Sequence, residues 1–425
     1  MSLLLLFLFF KREGVTCMKR KNFLKTILCA ILCFSMLTSC SSLGSRTSGE
    51  NVEPESPKST ADNGEPLTVY CDETNRDLAN LISDYNGQAA EEDRLEIVTY
   101  GYNPDSEEQE NAQTRLLTDL MAGKGPDLLL MNLISFSTNQ KTAMGSGLFQ
   151  DLNYYFKQNP IDWENYNTAV MNSGLYQGKR YIVPLSYTIG IYATTKKTLD
   201  RNGIPTSVDF TLDNFDKLLP YQENLEENKT GFFNRAPDIS LYICTFIDYD
   251  KKEHKFDTSK FKKSMEQYKQ LNQMQNTSMY VFENCMGFSD PRMMGNYIAS
   301  KNSSLKEDDK LILIADKMTS DSGTTAVPWN TVAINANSPN GARAFKFIQW
   351  ALSETTQSSK FSTIPVCKNA VLDYKVPGTK NEESMREYKA ILDDVRSVQS
   401  YSDMRFVNEI FWPLWEDFLD DKITV

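Results

Sequence analysis

The segment LLTDLMAGKGPDLLLMN, residues 116–132, decides the fold. Its first half carries leucines at the spacing of one helical face. Gly123 stands where a glycine commonly ends a helix. After a Gly-Pro turn, Asp127 opens the apolar run 128–131, which has the length and composition of a buried strand. The segment therefore predicts a helix, a tight turn and a strand in succession.

Strand and helix patterns alternate on the amino-terminal side of this segment. Residues 67–71 have the pattern of a buried strand, and residues 95–100 that of a second one. Between them, apolar residues recur at helical spacing over 78–85. The resulting order, β-α-β-α-β with short connections, predicts a parallel sheet that helices cover on both faces.

Polar and aromatic residues follow each of these predicted strands. Asp72 follows the first strand, Tyr102 the second and Asn132 the third. Ligands of open α/β sheets lie beyond the carboxyl ends of the strands, so these three residues are candidates for ligand contact. The alternative is that they are ordinary loop residues, because strand ends are polar in any case.

The stretch MKRKNFLKTILCAILCFSMLTSC, residues 18–40, is typical of a secretory signal. Basic residues precede an apolar run, 27–37, that is too short to span a bilayer. A small residue directly before Cys40 resembles the lipobox of bacterial lipoproteins. That resemblance implies a diacylglycerol on the sulfur of Cys40, cleavage before it, and acylation, as by palmitate, of the new amino terminus. The alternative is an ordinary signal peptide with a chance cysteine.

Residues 1–17 contain a second apolar run, so we interpret Met18 as the start of translation and 1–39 as the removed signal. Residues 41–66 are rich in Ser, Gly, Pro, Asn and Glu. Such a composition cannot bury a core and predicts a flexible tether behind Cys40. We expect the protein on the extracytoplasmic face of the cell membrane, held there by lipid.

Composition excludes several classes of function. The 425 residues carry 56 acidic and 45 basic side chains, a net charge of −11 that disfavours nucleic acid as a partner. The single histidine, His254, lies in a charged segment, which argues against histidine triads and zinc sites. The chain has no CxxC pair, P-loop or GxGxxG motif. We therefore expect no catalytic residue, no metal and no cofactor.

The cysteines behind Cys40 are too scattered for a disulfide framework. Cys71 and Cys367 lie in apolar runs and are predicted to be small core residues. A bridge between Cys244 and Cys285 remains open.

Six segments resemble, in their order and spacing, the bacterial extracellular solute-binding protein family 1, the ABC-importer receptors that include maltose-binding protein. They are LLTDLMAGKGPDLLLMN (116–132), GLFQDLNYYF (147–156), the stretch 175–205, TLDNF (211–215), VAINANSPNGARAFKFIQWALSETTQ (332–357) and TIPVCKNAV (363–371). In the segment 332–357, Ser338 also suits a helix N-cap and Pro339 the first helical position.

This resemblance implies a two-lobed, type II periplasmic-binding-protein-like α/β fold, in which each lobe is a mostly parallel sheet flanked by helices and hinge strands join the lobes. Lobe one is expected at 67–187 plus 333–372, and lobe two at 191–330 plus 376–425. A monomer of this kind closes its lobes over a small solute. The implied partners are that solute, the permease subunits of an ABC importer and, through the lipid anchor, the membrane.

The resemblance and the aromatic content favour a carbohydrate, either a mono- or an oligosaccharide. The chain has 20 Tyr, 23 Phe and 5 Trp. Trp412 falls where the family places a cleft aromatic, although Pro413 departs from that pattern. Trp329 and Tyr187 fall at two of the implied lobe crossings. The alternative for each of the three rings is core or hinge packing.

Two other functions remain open. A carboxylate-dependent glycan-active enzyme would need two acids held a fixed distance apart in the cleft, and the sequence shows no recognisable pairing. A surface sensor or adhesin could use the same fold without transport. We expect a binding protein, not an enzyme, and the sequence leaves the identity of its ligand open.

Overall fold

In the computed structural model of the chain, the described residues form two main sheets and two short hairpins. The strands are β1 (Leu67–Cys71), β2 (Leu95–Val98), β3 (Leu128–Asn132), β4 (Leu175–Tyr176), β5 (Lys179–Arg180), β6 (Val183–Pro184), β7 (Ser186–Ile189), β8 (Ile191–Thr195), β9 (Phe210–Thr211), β10 (Ile247–Asp248), β11 (Glu253–His254), β12 (Met286–Phe288), β13 (Leu311–Lys317), β14 (Thr324–Pro328), β15 (Asn330–Ile334), β16 (Ile364–Pro365) and β17 (Val395–Val398).

Helices cover these sheets. They are α1 (Arg76–Asn86), α2 (Ser106–Met121), α3 (Gln140–Gly145), α4 (Asn153–Gln158), α5 (Thr168–Asn172), α6 (Lys196–Arg201), α7 (Ile239–Ile243), α8 (Ser259–Gln273), α9 (Gly341–Leu352), α10 (Glu354–Lys360), α11 (Lys368–Asp373), α12 (Glu382–Asp393) and α13 (Trp412–Leu419). A π-helical turn, Val407–Phe411, leads into α13.

The structure describes only part of the chain, and the described residues all lie in one compact unit, Val52–Val425. They are 53–58, 62, 64–71, 75–100, 106–132, 140–201, 203–206, 210–211, 219, 239–248, 251, 253–273, 286–288, 311–319, 321–373, 382–399 and 406–424.

The smaller sheet has the strand order β2-β1-β3-β15-β6. β1 pairs in parallel with β2 and β3, as the alternating pattern predicts. β15 runs antiparallel to both of its neighbours, β3 and β6. All strands of this sheet except β15 therefore point the same way.

Both faces of the smaller sheet are covered, which confirms the prediction from the sequence. Alternate residues of β3 enter two different apolar clusters, because successive side chains of a strand point to opposite faces. Leu128 and Leu130 pack with α1 and α9, whereas Leu129 and Met131 pack with α2 and α3. A strand that is apolar on both faces is typical of such a sandwiched sheet.

The larger sheet has the order β12-β8-β13-β14-β7-β16, with β9 beside β13 and β17 beside β14. Every pair along the main path is antiparallel. The parallel pairs are β9 with β13 and β17 with β14. The α/β fold with two sheets is confirmed, but the expectation of mostly parallel strands is wrong for this sheet. One reason is that the connection between β13 and β14 is too short for the crossover that parallel neighbours require.

One apolar cluster continues from the smaller sheet into the larger one. It contains Val332 of β15 together with Tyr187 of β7 and Ile364 of β16. Cys71 and Cys367 also lie in it, which confirms that they are small core residues. A second cluster, on the larger sheet, joins Tyr192 and Ile314 to α7, α8 and α13. Because the first cluster is shared between the sheets, the predicted lobe boundaries stay a prediction.

The described residues between 53 and 66 contact residues that flank the smaller sheet, and we call them the strap. The backbone amide of Glu55 donates to Asp151 Oδ2 over 3.0 Å. Asp62 forms a salt bridge with Arg343, in which Nε lies 2.6 Å from Oδ2. The strap lacks large apolar residues and is held by polar contacts. The flexible tether at residues 41–66 stays a prediction.

Candidate functional site

One edge of the smaller sheet gathers the residues that follow its strands. The carboxyl ends of β1, β2, β3 and β6 lie at this edge because these strands run in the same direction. β15 runs the other way, so it begins here, with Asn330 paired opposite Asn132. We call this the crossing edge, since the chain passes here once from the smaller to the larger sheet and once back again.

Each crossing is a single residue long. Leu185 joins β6 of the smaller sheet to β7 of the larger, and Trp329 joins β14 of the larger sheet to β15 of the smaller. The two crossings are hydrogen-bonded to each other. The amide of Leu185 donates to the carbonyl of Asn330 over 2.7 Å, and the amide of Trp329 donates to the carbonyl of Ser186 over 2.8 Å.

Side chains reinforce this junction. The hydroxyl of Thr363 donates to Ser186 Oγ over 2.6 Å. The backbone amide of Asn330 donates to the same oxygen over 3.4 Å. Asn75 Nδ2 donates to Asn330 Oδ1 over 2.8 Å, while Asn75 Oδ1 accepts from the amide of Leu78 over 3.2 Å and caps α1. The carboxamide of Asn330 is therefore held in one orientation from the amino terminus of α1.

The other end of that carboxamide is unsatisfied. Asn330 is fully buried, and its Nδ2 finds no acceptor among the residues that the structure describes. A buried donor without a partner costs about 1–3 kcal/mol. Its neighbour in the chain, Trp329, is half-buried. The crossing edge thus combines a fixed, unpaired amide donor with a partly accessible aromatic ring.

The predicted site residues do not all come together. Trp329 lies at the crossing edge, and so does the backbone of Asn132, whose side chain is not among those described. Asp72, Tyr102 and Cys40 lie outside the described residues.

Tyr187 and Trp412 pack into the fold. Tyr187 lies in the shared apolar cluster, and burial raises the pKa of its hydroxyl. Trp412 begins α13, where its ring centroid is 5.2 Å from that of Phe411, beside the second apolar cluster. Pro413 is exposed in the first turn of α13, a position that tolerates proline. The ligand role of both rings stays a prediction.

Tyr100, near the end of β2, also contacts neighbouring elements of the fold. The Tyr100 hydroxyl donates to Asp119 Oδ2 of α2 over 3.1 Å. Burial and this hydrogen bond raise the pKa of Tyr100 to about 12. Its ring also packs edge-on against Tyr70. Tyr100 therefore stabilises the contact between α2 and the sheet.

Sequence reasoning missed Asn330, Ser186 and Thr363 as residues of the junction. A signal was present, since Asn330 is a carboxamide at the start of a buried strand and directly follows a tryptophan. Buried polar side chains are usually hydrogen-bonded in a specific way. The pairing of Asn330 with Asn75, which is 255 positions away in the chain, becomes visible only in the fold.

Two general observations concern the described part of the chain. It contains no group of three or more His, Cys, Asp or Glu side chains placed to hold a metal ion. None of its helices combines the length and the apolar character needed to cross a membrane.

Solved structures share this fold at low sequence identity. The sugar-binding protein MalE from Xanthomonas citri superposes with a TM-score of 0.61 at 12% identity, over 85% of this chain and 93% of that one. The ABC substrate-binding protein Lmo0181 from Listeria monocytogenes, in complex with cycloalternan, gives 0.56 at 13% identity, over 84% and 94%. UgpB from Mycobacterium tuberculosis, in complex with glycerophosphocholine, gives 0.53 at 14% identity, over 84% and 94%. The chain therefore has the two-lobed α/β fold of these binding proteins.

The sequence itself matches a family. No curated protein sequence matches the chain. The family model described as "Bacterial extracellular solute-binding protein", however, matches residues 100–383, which is more than half of the chain and includes both crossings. This chain belongs to the bacterial extracellular solute-binding protein family.

Proposed function

We propose that the protein captures a carbohydrate at the crossing edge and delivers it to an ABC importer. The observation that carries the proposal is the pair Trp329 and Asn330: a half-buried ring next to a buried amide donor that has no acceptor within the described part of the chain. A sugar offers both complements, an apolar CH face for the ring and hydroxyl oxygens for the amide. Binding would satisfy the donor and remove its desolvation cost.

The junction also links binding to closure. Each crossing is one residue long, and both are hydrogen-bonded at Asn330 and Ser186. Hinges of two-lobed proteins are a few residues at element ends that absorb backbone changes. A ligand that contacts Trp329 and Asn330 would act directly on the hinge. It would favour the closed state if it binds that state more tightly.

The remaining parts of the proposal follow from the family and from the sequence. Lmo0181 was solved with cycloalternan, and another neighbour, a solute-binding protein from Thermotoga lettingae, with α-D-tagatose. For this chain we propose a monomer that is anchored by lipid on Cys40, acts on the extracytoplasmic face and works with permease subunits. Trp412, Tyr187, Tyr102, Asn132 and Asp72 remain candidate contacts beside Trp329.

The test is a thermal-shift and calorimetric screen of the purified protein. The panel contains linear and cyclic gluco-oligosaccharides, monosaccharides, polyols, glycerophosphocholine, amino acids and polyamines. We expect stabilisation by at least one sugar. The variant Trp329→Ala should weaken the binding of that sugar tenfold or more, because it removes the aromatic platform.

The matched control is Trp350→Phe. Trp350 lies on α9, where its ring packs against Tyr85 at a centroid distance of 5.3 Å, away from the crossing edge. This variant should leave sugar affinity unchanged. Stabilisation by amino acids or polyamines alone would contradict the carbohydrate assignment. Release of sugar from a bound glycan would instead identify a glycan-active enzyme.

A further inference from the structure

A cavity of about 500 Å³ lies next to the strap and is lined by residues of α4, α5 and the hairpin of β4 and β5. Pro54 of the strap forms part of its wall. The aromatic residues Phe156 and Trp163 form another part, and Arg180 and Lys157 supply its charge. The volume is in the range of sites for small organic ligands. None of the residues that line the cavity is a carboxylate.

Arg180 is the unusual member of this group. It is 5% exposed, and its guanidinium carbon lies 4.5 Å from the ring centroid of Trp163. Among the described residues the guanidinium donates one hydrogen bond, from Nη1 to the carbonyl of Met171. Its Nε is buried and has no partner there.

The buried carboxylate of Asp151 acts on this guanidinium through its charge, but its described hydrogen bonds go to backbone amides. Asp151 uses both of its oxygens on backbone amides, accepting from Asn153 and Arg180 at Oδ1 and from Glu55 at Oδ2. Glu55 in turn pairs with Lys179, not with Arg180. Burial lowers the pKa of Arg180 to about 10, so the group is still cationic at neutral pH.

Burying this cation is costly, because the charge of Asp151 compensates it only through space and the ring of Trp163 offsets only a part of the cost. The second cation of the cavity, Lys157, is also weakly engaged. Its amine lies 3.9 Å from Glu53, and both side chains are largely exposed. The cavity is therefore positively charged, although the chain as a whole is acidic.

We propose that this cavity is a second ligand site, which binds a small organic anion with a flat apolar body. The anionic group pairs with Arg180 and Lys157, and the body packs against Phe156 and Trp163. The site goes beyond the proposed sugar function, because it shares no lining residue with the crossing edge. Its apolar walls and its volume favour an organic anion over a bare inorganic one.

The experiment uses the purified protein and 4-fluorobenzoate as the probe, followed by fluorine NMR line broadening. The neutral isostere 4-fluorobenzamide is the ligand control. We expect the benzoate to bind at least tenfold more tightly than the benzamide, since charge-assisted hydrogen bonds to Arg180 form only with the anion. Sulfate should displace the benzoate poorly.

Three variants assign the binding to this cavity. Arg180→Gln should reduce benzoate affinity tenfold or more. Lys157→Gln, which changes an exposed side chain and should fold normally, should reduce it about two- to fourfold. Lys196→Gln, an exposed lysine on α6, is the matched control and should have no effect. The proposal is overturned if the benzoate does not bind, if the benzamide or sulfate competes equally well, or if Lys157→Gln behaves like Lys196→Gln. Sugar binding at the crossing edge is measured separately and does not depend on these outcomes.

Discussion

Asp127 shows at the scale of one residue why the segment 116–132 is so informative. Its Oδ2 accepts from the amide and the hydroxyl of Thr68, over 2.9 and 3.0 Å. Its Oδ1 accepts from the hydroxyl of Ser338 over 2.6 Å and from Asn340 Nδ2 over 3.3 Å. One buried carboxylate thus joins the start of β1, the start of β3 and the turn before α9.

We expect Asp127→Ala to lower the free energy of unfolding by about 2–4 kcal/mol, because it leaves several buried donors without an acceptor. Urea unfolding measures the change. The control is Glu96→Ala on the exposed face of β2, which should stay within about 0.5 kcal/mol of the unmodified protein. Equal stability of the two variants would show that the carboxylate does not hold these elements together.

The site was predicted from the sequence only in part, and the reason lies in single side chains. Trp329 was identified because a tryptophan near a strand start and an implied crossing is conspicuous. Asn330 was missed because its importance depends on Asn75 and Ser186, which are distant in the chain. Arg180 was missed because nothing in the sequence shows that a basic residue beside Lys179 is buried.

At the scale of elements, the amino-terminal half of the smaller sheet was predicted well. The predicted strand 67–71 coincides with β1, and every apolar residue of the predicted helical face of α1 is buried. Gly123 has the left-handed φ of +75° that the helix stop requires. Here local periodicity and burial agree, so the sequence is sufficient.

Other elements depended on distant contacts. Ser338 was predicted to cap a helix that begins at Pro339, but α9 begins at Gly341. The Ser338 hydroxyl instead donates to Asp127 and accepts from the amide of Asn340. The antiparallel directions of the larger sheet and the contacts of the strap were missed for the same reason. Tertiary partners, not local pattern, determine them.

The strap supplies a prediction at this scale. Asp62→Ala should destabilise the protein by about 1–3 kcal/mol, because Arg343 is buried and would lose its counter-charge. Glu53→Ala is the control, since its partner Lys157 is 3.9 Å away and both side chains are largely exposed. The control should change stability by at most about 0.5 kcal/mol. Denaturant midpoints compare the two, and an Asp62 effect no larger than that of Glu53 would mean that the strap rests on the surface without stabilising it.

At the scale of the whole molecule, tyrosines are a large part of the apolar interior. Burial is the main cause that raises the pKa of Tyr85, Tyr100 and Tyr166 to about 12, from a usual value of 10.0. These side chains are spread over α1, the end of β2 and the segment before α5. Their ionisation therefore reports on the integrity of the whole fold.

This distribution predicts unfolding at alkaline pH. Between pH 10 and 12 the unfolded chain has released tyrosine protons that the folded chain still holds. Stability is therefore complete below pH 10 and falls as the pH rises towards 12. The lowered pKa of Arg180 acts in the opposite direction over part of this range, but it is one group against several tyrosines.

Urea unfolding at several pH values, combined with tyrosinate absorbance, measures this decline. Tyr85→Phe should make the decline less steep, because it removes one of the buried hydroxyls that cause it. An unfolding free energy that stays constant or rises between pH 10 and 12 would contradict the prediction.

The course of the strap has a mechanical consequence. Its contacts follow one another along the chain: Glu55 on Asp151, Lys58 on Asn337 and Asp62 on Arg343. A force on the amino-terminal end would act on these contacts one after another, in chain order, before it reached β1. The strap joins the sheet at the amino-terminal end of β1, which is the edge away from Trp329 and Asn330. A force applied at the amino-terminal end would therefore be taken up by the strap, away from Trp329 and Asn330.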